Sequence, residues 1–240
     1  MRRTILAIDC SQRTSMLVVA RGPIVSMRAI DPTAEGTRSG EREPFWDALR
    51  ELCAESAVEP WQLEGVAVAV GPGGFTGLRV SLAFAKAFAL AREVPVVALG
   101  SALVFAGSDA ARGGKGPWLV ALASKAGSAW CARVRRGDDA LFAEEPGEVL
   151  DAAGFHARVS AVAAAGGALL SDEHLDPALA EVARRCAVHQ RPIAADPCAL
   201  AMLAQLAFSR GATIDPMALV PIYPREPEAV TKWRERRQGG

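Results

Sequence analysis

Short apolar runs separated by polar turns open the chain. Thr4 to Ile8, Met16 to Ala20 and Ile24 to Ala29 read as three strands, joined by a polar turn over 11–14 and by Arg21-Gly22-Pro23, and their spacing predicts an antiparallel meander. From Glu43 to Ala57 the period changes. Phe45, Leu49, Leu52 and Cys53 recur at i, i+4, i+7 and i+8, with Asp47, Arg50, Glu51 and Glu55 at other positions, which predicts an amphipathic helix opened by Pro44. Gly65 to Val70 is nearly all apolar, as in a strand buried on both faces. A glycine-dense loop, a helix over Thr76 to Arg92, a strand from Val94 to Leu99 and a helix from Ser101 follow.

The polar, flexible stretch from Arg112 to Pro117 predicts a domain boundary. Beyond it, Trp118 to Ala123, Ala129 to Val134 and Ala140 to Phe142 read as strands, Gly147 to Ala153 as a short helix, and Val159 to Ala164 as a strand. Pro177 to Cys186 and Pro197 to Arg210 read as helices. Three strands, a helix, a strand and further helices thus occur twice. That order predicts an α/β chain with the duplicated ribonuclease-H-like fold shared by actin, sugar kinases and Hsp70, built from two tandem α/β domains with mixed sheets. The expected division is a first domain over 1–111, a smaller divergent domain over 112–215 and a tail over 216–240.

The loop Gly71-Pro72-Gly73-Gly74-Phe75-Thr76-Gly77 lies between a strand and a helix. Four glycines allow sharp turning and close backbone approach to another surface, either a phosphate or a protein. Strand, glycine loop and helix N-terminus suit an anion. However, a Walker A loop would end in Gly-Lys-Ser/Thr where this chain has Thr76-Gly77-Leu78, and the dinucleotide pattern begun at Gly71 meets Thr76 where it needs glycine. In the helix that follows, Gly77, Ser81, Ala85 and Ala89 form a small-residue stripe beside the bulky stripe Val80, Phe84 and Phe88. Charge is confined to Arg79, Lys86 and Arg92, so the helix is expected to be covered on more than one side. The small stripe is the expected subunit interface, together with Arg79, Phe84 and Phe88 of the same helix and Phe45, Leu49 and Leu52 of the earlier one; the alternative is that the rest of the same domain covers the helix.

Catalytic groups are sparse. Asp9 stands at a strand end where ATPases of the duplicated fold carry an acidic residue, but its turn, 10–14, has hydroxyls and no glycine. A vestigial nucleotide site would rest on Asp9 and Ser11, while a capping role for Asp9 explains it as well. No carboxylate lies between Asp109 and Asp138 to serve magnesium from the second half. His156, His174 and His189 form no H-x-x-x-H pair, and no serine stands in G-x-S-x-G.

Lys plus Arg equal Asp plus Glu at 27 each, which removes a global field for nucleic acid or membrane. From Arg225 onward there are five positive and three negative charges, expected to be a solvated end. Five scattered cysteines without a C-x-x-C pair predict reduced thiols, and the apolar run Val159 to Leu170 is too short to span a bilayer. A soluble, cytoplasmic protein is expected.

Three segments carry a resemblance: Ile5-Leu6-Ala7-Ile8-Asp9, then Val70 to Arg79, then Pro221-Ile222-Tyr223-Pro224-Arg225. In this order and at these distances they resemble the bacterial TsaB (YeaZ) family, closely over residues 1 to about 107 and again near Tyr223. The resemblance implies a non-catalytic paralogue of TsaD. It further implies a complex with TsaD and the ATPase TsaE that transfers threonylcarbamoyl to N6 of adenosine 37 in tRNAs reading codons that start with A. It implies no cofactor of the chain's own, with room for a nucleotide at the joint with TsaD, a homodimer when alone, and tRNA contact only through the complex. Pairing in the family runs through the helices matching Glu43 to Ala57 and Thr76 to Arg92. Three positions depart from the pattern: Gly74 stands where most members have serine, Pro44 where many have histidine, and Ala123-Ser124-Lys125 with Ser128 and Trp130 where Asp-Ala-Arg, an acid and tyrosine are common. The alternative is an ATP-dependent small-molecule kinase or a protease-like enzyme of the same fold.

Overall fold

The computed structural model describes residues 3–30, 44–125, 127–144 and 146–224. In the first half, β1 (Thr4–Asp9), β2 (Ser15–Arg21) and β3 (Ile24–Ile30) form the expected meander. After α1 (Pro44–Glu55), β4 (Gly65–Gly71) and β5 (Val96–Gly100) add parallel to β1, with α2 (Phe75–Arg92) between them, giving the order β3-β2-β1-β4-β5. α3 (Ser101–Ala111) then leads to the second half.

There β6 (Trp118–Ala123), β7 (Ala129–Arg136) and β8 (Leu141–Ala143) repeat the meander, and β9 (Glu148–Leu150) pairs with β7. Next come α4 (Ala152–Ala164), β10 (Ala168–Ser171), α5 (Pro177–Arg185), β11 (His189–Pro192) and α6 (Pro197–Ser209). β10 lies parallel to both β6 and β11, so the order is β11-β10-β6-β7-β8. The two sheets share one topology, and this is the duplicated ribonuclease-H-like fold.

Two expected elements differ. The segment Val159 to Ala164, expected as a strand, is the second half of α4. Asp151 caps that helix by accepting from the Gly154 N–H at 2.9 Å, and Phe155, Val159 and Val162 face inward at helical spacing. The strand instead follows Gly166-Gly167 as β10. Gly147 to Ala153, expected as a helix, holds the short strand β9 before that cap.

Side-chain alternation on the strands builds the core in layers. Leu6, Ile8, Val66 and Val68 face α1 and α2, whereas Ile5, Ala7, Ala67 and Val97 face α3 and α6. In the second sheet Val120, Trp130 and Leu170 face α3, and Leu119, Cys131 and Leu169 face α4 and α5. α3 and α6 therefore lie between the two sheets, and α6 from the second half packs on the first sheet. Asp109 of α3, 3% exposed, accepts from the Trp118 indole at 2.8 Å and from Arg191 at 2.8 and 2.9 Å, pinning α3 to β6 and β11. After α6 the chain returns to the first lobe: Ile214 donates to the Val96 carbonyl, Leu219 enters the core with α1 and α2, and Ile222 donates to the Val70 carbonyl at 2.7 Å. The tail charges from Arg225 onward lie outside the described residues. Among the described residues no helix is long and apolar enough to cross a membrane.

Candidate functional site

The glycine loop approaches the chain's own first turn. The Gly74 N–H donates to the Ser11 carbonyl at 2.8 Å. A Cβ at Gly73 would lie 2.1 Å from the Ser11 carbonyl oxygen, and one at Gly77 would lie 2.3 Å from that of Cys10. Gly71 has φ +100° and lies against Leu78 and the Ile222 carbonyl. Its neighbour Pro72 is buried, whereas Phe75 and Thr76 are exposed. The sequence left phosphate or protein as the surface approached; the glycines instead seat the loop on the 10–11 backbone. Gly74 is the N-cap of α2 and supplies no side chain to cap it.

Asp9 and Ser11, the residues of the vestigial nucleotide reading, sit beneath this contact. Asp9 is 1% exposed; one carboxyl oxygen accepts from the Ser11 N–H at 2.9 Å, and among the described residues neither the other oxygen nor the Ser11 hydroxyl has a hydrogen-bond partner. Burial raises the Asp9 pKa, and the bonds from Ser11 offset only part of that. A carboxyl whose folded pKa lies above its unfolded value holds its proton more tightly in the native state. Stability is then lost as pH rises from the ordinary carboxylate range through the raised value. Asp9→Asn, which keeps the shape and cannot ionise, is expected to flatten this fall. Urea unfolding of both proteins between pH 5 and 8, as an approximate range over which such shifts act, should show the variant losing less stability with rising pH.

Two of the three resemblance segments, the glycine loop with the start of α2 and the segment around Tyr223, meet here. Tyr223 accepts from the Arg79 Nε at 3.1 Å, the Arg79 guanidinium lies 3.6 Å from the Phe75 ring centroid, and the Phe75 and Tyr223 rings are 5.7 Å apart.

The expected interface stripe turns inward. Ser81 and Ala85 are fully buried, Ala89 is buried and Gly77 lies on the Cys10 carbonyl, because small side chains let α2 sit close to its own sheet. Leu49 and Leu52 also face the core, as do most of Phe45 and Phe84. Phe88 is half-buried and Arg79 exposed. The outward face of α2 is a different row: Thr76, Val80, Ala83, Ala87 and Leu90, all exposed, at alternating spacings of four and three. Beside it Trp46 of α1, 50% exposed, lies edge-on to Phe84 with ring centroids 5.4 Å apart. Trp61 extends the face near the end of α2, where its carbonyl accepts from Arg92. Sequence reasoning missed this row; its signal was the alternating spacing, which the more conspicuous four-residue period of small side chains obscured.

The three histidines fall on α4, the loop after β10 and β11, and among the described residues no group of three His, Cys, Asp or Glu side chains could hold a metal ion. The five cysteines are free thiols, and burial pushes those of Cys10 and Cys131 up to about 12.

Residues 42–154 match the family model described as TsaD: tRNA N6-adenosine threonylcarbamoyltransferase. Two solved structures share the fold over nearly the whole chain. YeaZ from Pseudomonas aeruginosa is 17% identical with a TM-score of 0.70, over 91% of this chain and 100% of that one. An uncharacterized protein with similarity to peptidase YEAZ, from Pseudomonas aeruginosa, is 20% identical with a TM-score of 0.68, over 93% of this chain and 100% of that one. On these findings the chain has the fold of YeaZ, and its residues 42–154 match the TsaD family model. The family match spans α1, the glycine loop and α2, and so includes the exposed row.

Proposed function

We propose that the chain is the non-catalytic scaffold or activating subunit that pairs with TsaD and, with the ATPase TsaE, serves the transfer of threonylcarbamoyl to N6 of adenosine 37 in tRNAs reading codons that start with A. The observation carrying this reading is the exposed row on α2 with Trp46 and Trp61 beside it. A helix that spends its inward face on its own sheet and still presents valine, alanines and leucine in a seam is built to receive another helix. Two further features support it. The glycine loop is filled by the chain's own turn, which leaves it no room to cradle phosphate, and Asp9 is buried, with its pKa raised by that burial. The same seam serves a second copy when TsaD is absent, a nucleotide binds at the joint with TsaD, and the complex works in the cytoplasm on tRNA that the chain touches only as part of it.

The test mixes the purified chain with TsaD and TsaE from the same cell, ATP, threonylcarbamoyl-AMP and tRNA. The chain alone is expected neither to hydrolyse ATP nor to modify tRNA, and to restore modification when TsaD and TsaE are present. Failure to bind TsaD at micromolar concentration would overturn the proposal.

A further inference from the structure

A cavity of about 350 Å³ opens between the lobes, at the carboxyl ends of β10 and β11 and under the β1–β2 turn. Its floor is apolar, made by Met16, Phe105 and Ile193, with Met16 and Phe105 almost fully buried. Its walls differ in sign. Arg13 stands on the first-lobe wall, where among the described residues its side chain has no acid partner. Asp172 and Glu173 stand on the second-lobe wall. The Asp172 carboxylate is fixed by two backbone donors, Ala123 N–H at 2.7 Å and His174 N–H at 2.6 Å, and each of its oxygens keeps a lone pair for another donor.

This chemistry excludes polyphosphate. The 10–14 turn has no glycine for close backbone approach, the glycine loop is spent on Ser11, and two carboxylates face the place where phosphates would sit. A ligand matching the cavity carries one negative charge for Arg13, one positive charge for Asp172 and Glu173, and a compact apolar body for the floor. The volume lies at the small end of ligand sites, which run from roughly 300 Å³ upward. We propose that this cleft binds a free α-amino acid with an apolar side chain, carboxylate to Arg13 and ammonium to the Asp172–Glu173 wall. Since the two walls belong to different lobes, the ligand joins them. This site is separate from the α2 seam and goes beyond the scaffold reading.

Titration calorimetry of the full chain with L-phenylalanine and L-leucine tests it. Saturable binding is expected for at least one of them. 3-Phenylpropionate, which lacks the ammonium, and 2-phenylethylamine, which lacks the carboxylate, are each expected to bind about tenfold or more weakly than L-phenylalanine, the loss of one charged hydrogen bond. Arg13→Gln and Glu173→Gln change exposed side chains, so melting should be unaltered while amino-acid binding weakens by a similar factor. No saturable binding by either amino acid up to about 10 mM, a concentration well above a millimolar Kd, overturns the proposal. So do single-charge analogues that bind as tightly, variants that bind as the parent does, or ATP binding more tightly than both amino acids. TsaD capture by the same protein is read separately, so loss of one leaves the other standing.

Discussion

Gly77→Val should destabilise the chain severely, with Gly73→Ala close behind. A Cβ at Gly77 falls 2.3 Å from the Cys10 carbonyl oxygen, and one at Gly73 falls 2.1 Å from that of Ser11 with the Ser11 carbonyl carbon and Cα at 2.7 Å. The obstructing atoms are backbone at the end of a fully buried strand, so no side chain can swing aside. Overpacking of this kind costs about 3 kcal/mol or more. For a chain of this size that lowers Tm by roughly 6–12 °C. Gly74 is the control: its Cβ would meet only the Ser11 carbonyl oxygen, at 3.9 Å. Gly74→Ser adds a capping hydroxyl at the N-cap of α2 and should leave Tm unchanged or slightly higher. Thermal unfolding of the three variants decides the matter. Equal melting of Gly77→Val and the parent would show that the loop does not rest on the first turn.

The fold was legible where pattern and turn chemistry agreed. β1 to β3, β4 and α1 announced themselves by period, and the repeated order of elements was enough to reach the duplicated architecture. The second half was harder because alanine is equally at home in helix and strand. In α4 the run from Val159 to Ala164 is apolar but for Ser160 and carries no charge, so local composition could not separate the two, and the Asp151 cap decided in favour of helix. β11 was invisible for a different reason. His189 to Pro192 is exposed throughout and held at the sheet edge by backbone pairing to β10, a contact no hydrophobic pattern encodes. The site was half legible. The glycine loop stood out, yet its partner, the Cys10–Ser11 backbone, lies some sixty residues upstream and carries no side-chain signature. Similarly, the Arg79–Phe75–Tyr223 contact joins positions 144 apart in the case of Arg79 and Tyr223, and only the family resemblance drew attention to Tyr223.

Ala85→Arg and Val80→Glu should fail in opposite ways, which makes them the sharpest test of pairing. A small-residue stripe on an apolar helix invites the idea that Ala85 faces a partner, and a charge there would then break pairing and spare the fold. In the structure Ala85 is fully buried among residues of the first-lobe core, so an arginine has neither room nor water. That variant is expected not to accumulate as folded protein, since an unpaired buried charge costs several kcal/mol or more, of the order of the whole stability of a domain. Val80, the second of the five positions in the outward row, is 46% exposed. Val80→Glu should fold and melt near the parent temperature, while pairing with TsaD weakens by about a hundredfold or more, the loss expected when a charge enters the dry centre of an interface. Trp46→Ala should act in the same direction, because an exposed indole beside the seam is the kind of anchor that dominates binding energy. Circular dichroism and analytical ultracentrifugation of the chain alone and with TsaD separate folding from pairing. If Val80→Glu is folded and pairs as tightly as the parent, the row on α2 faces solvent and the scaffold reading loses the surface on which it rests.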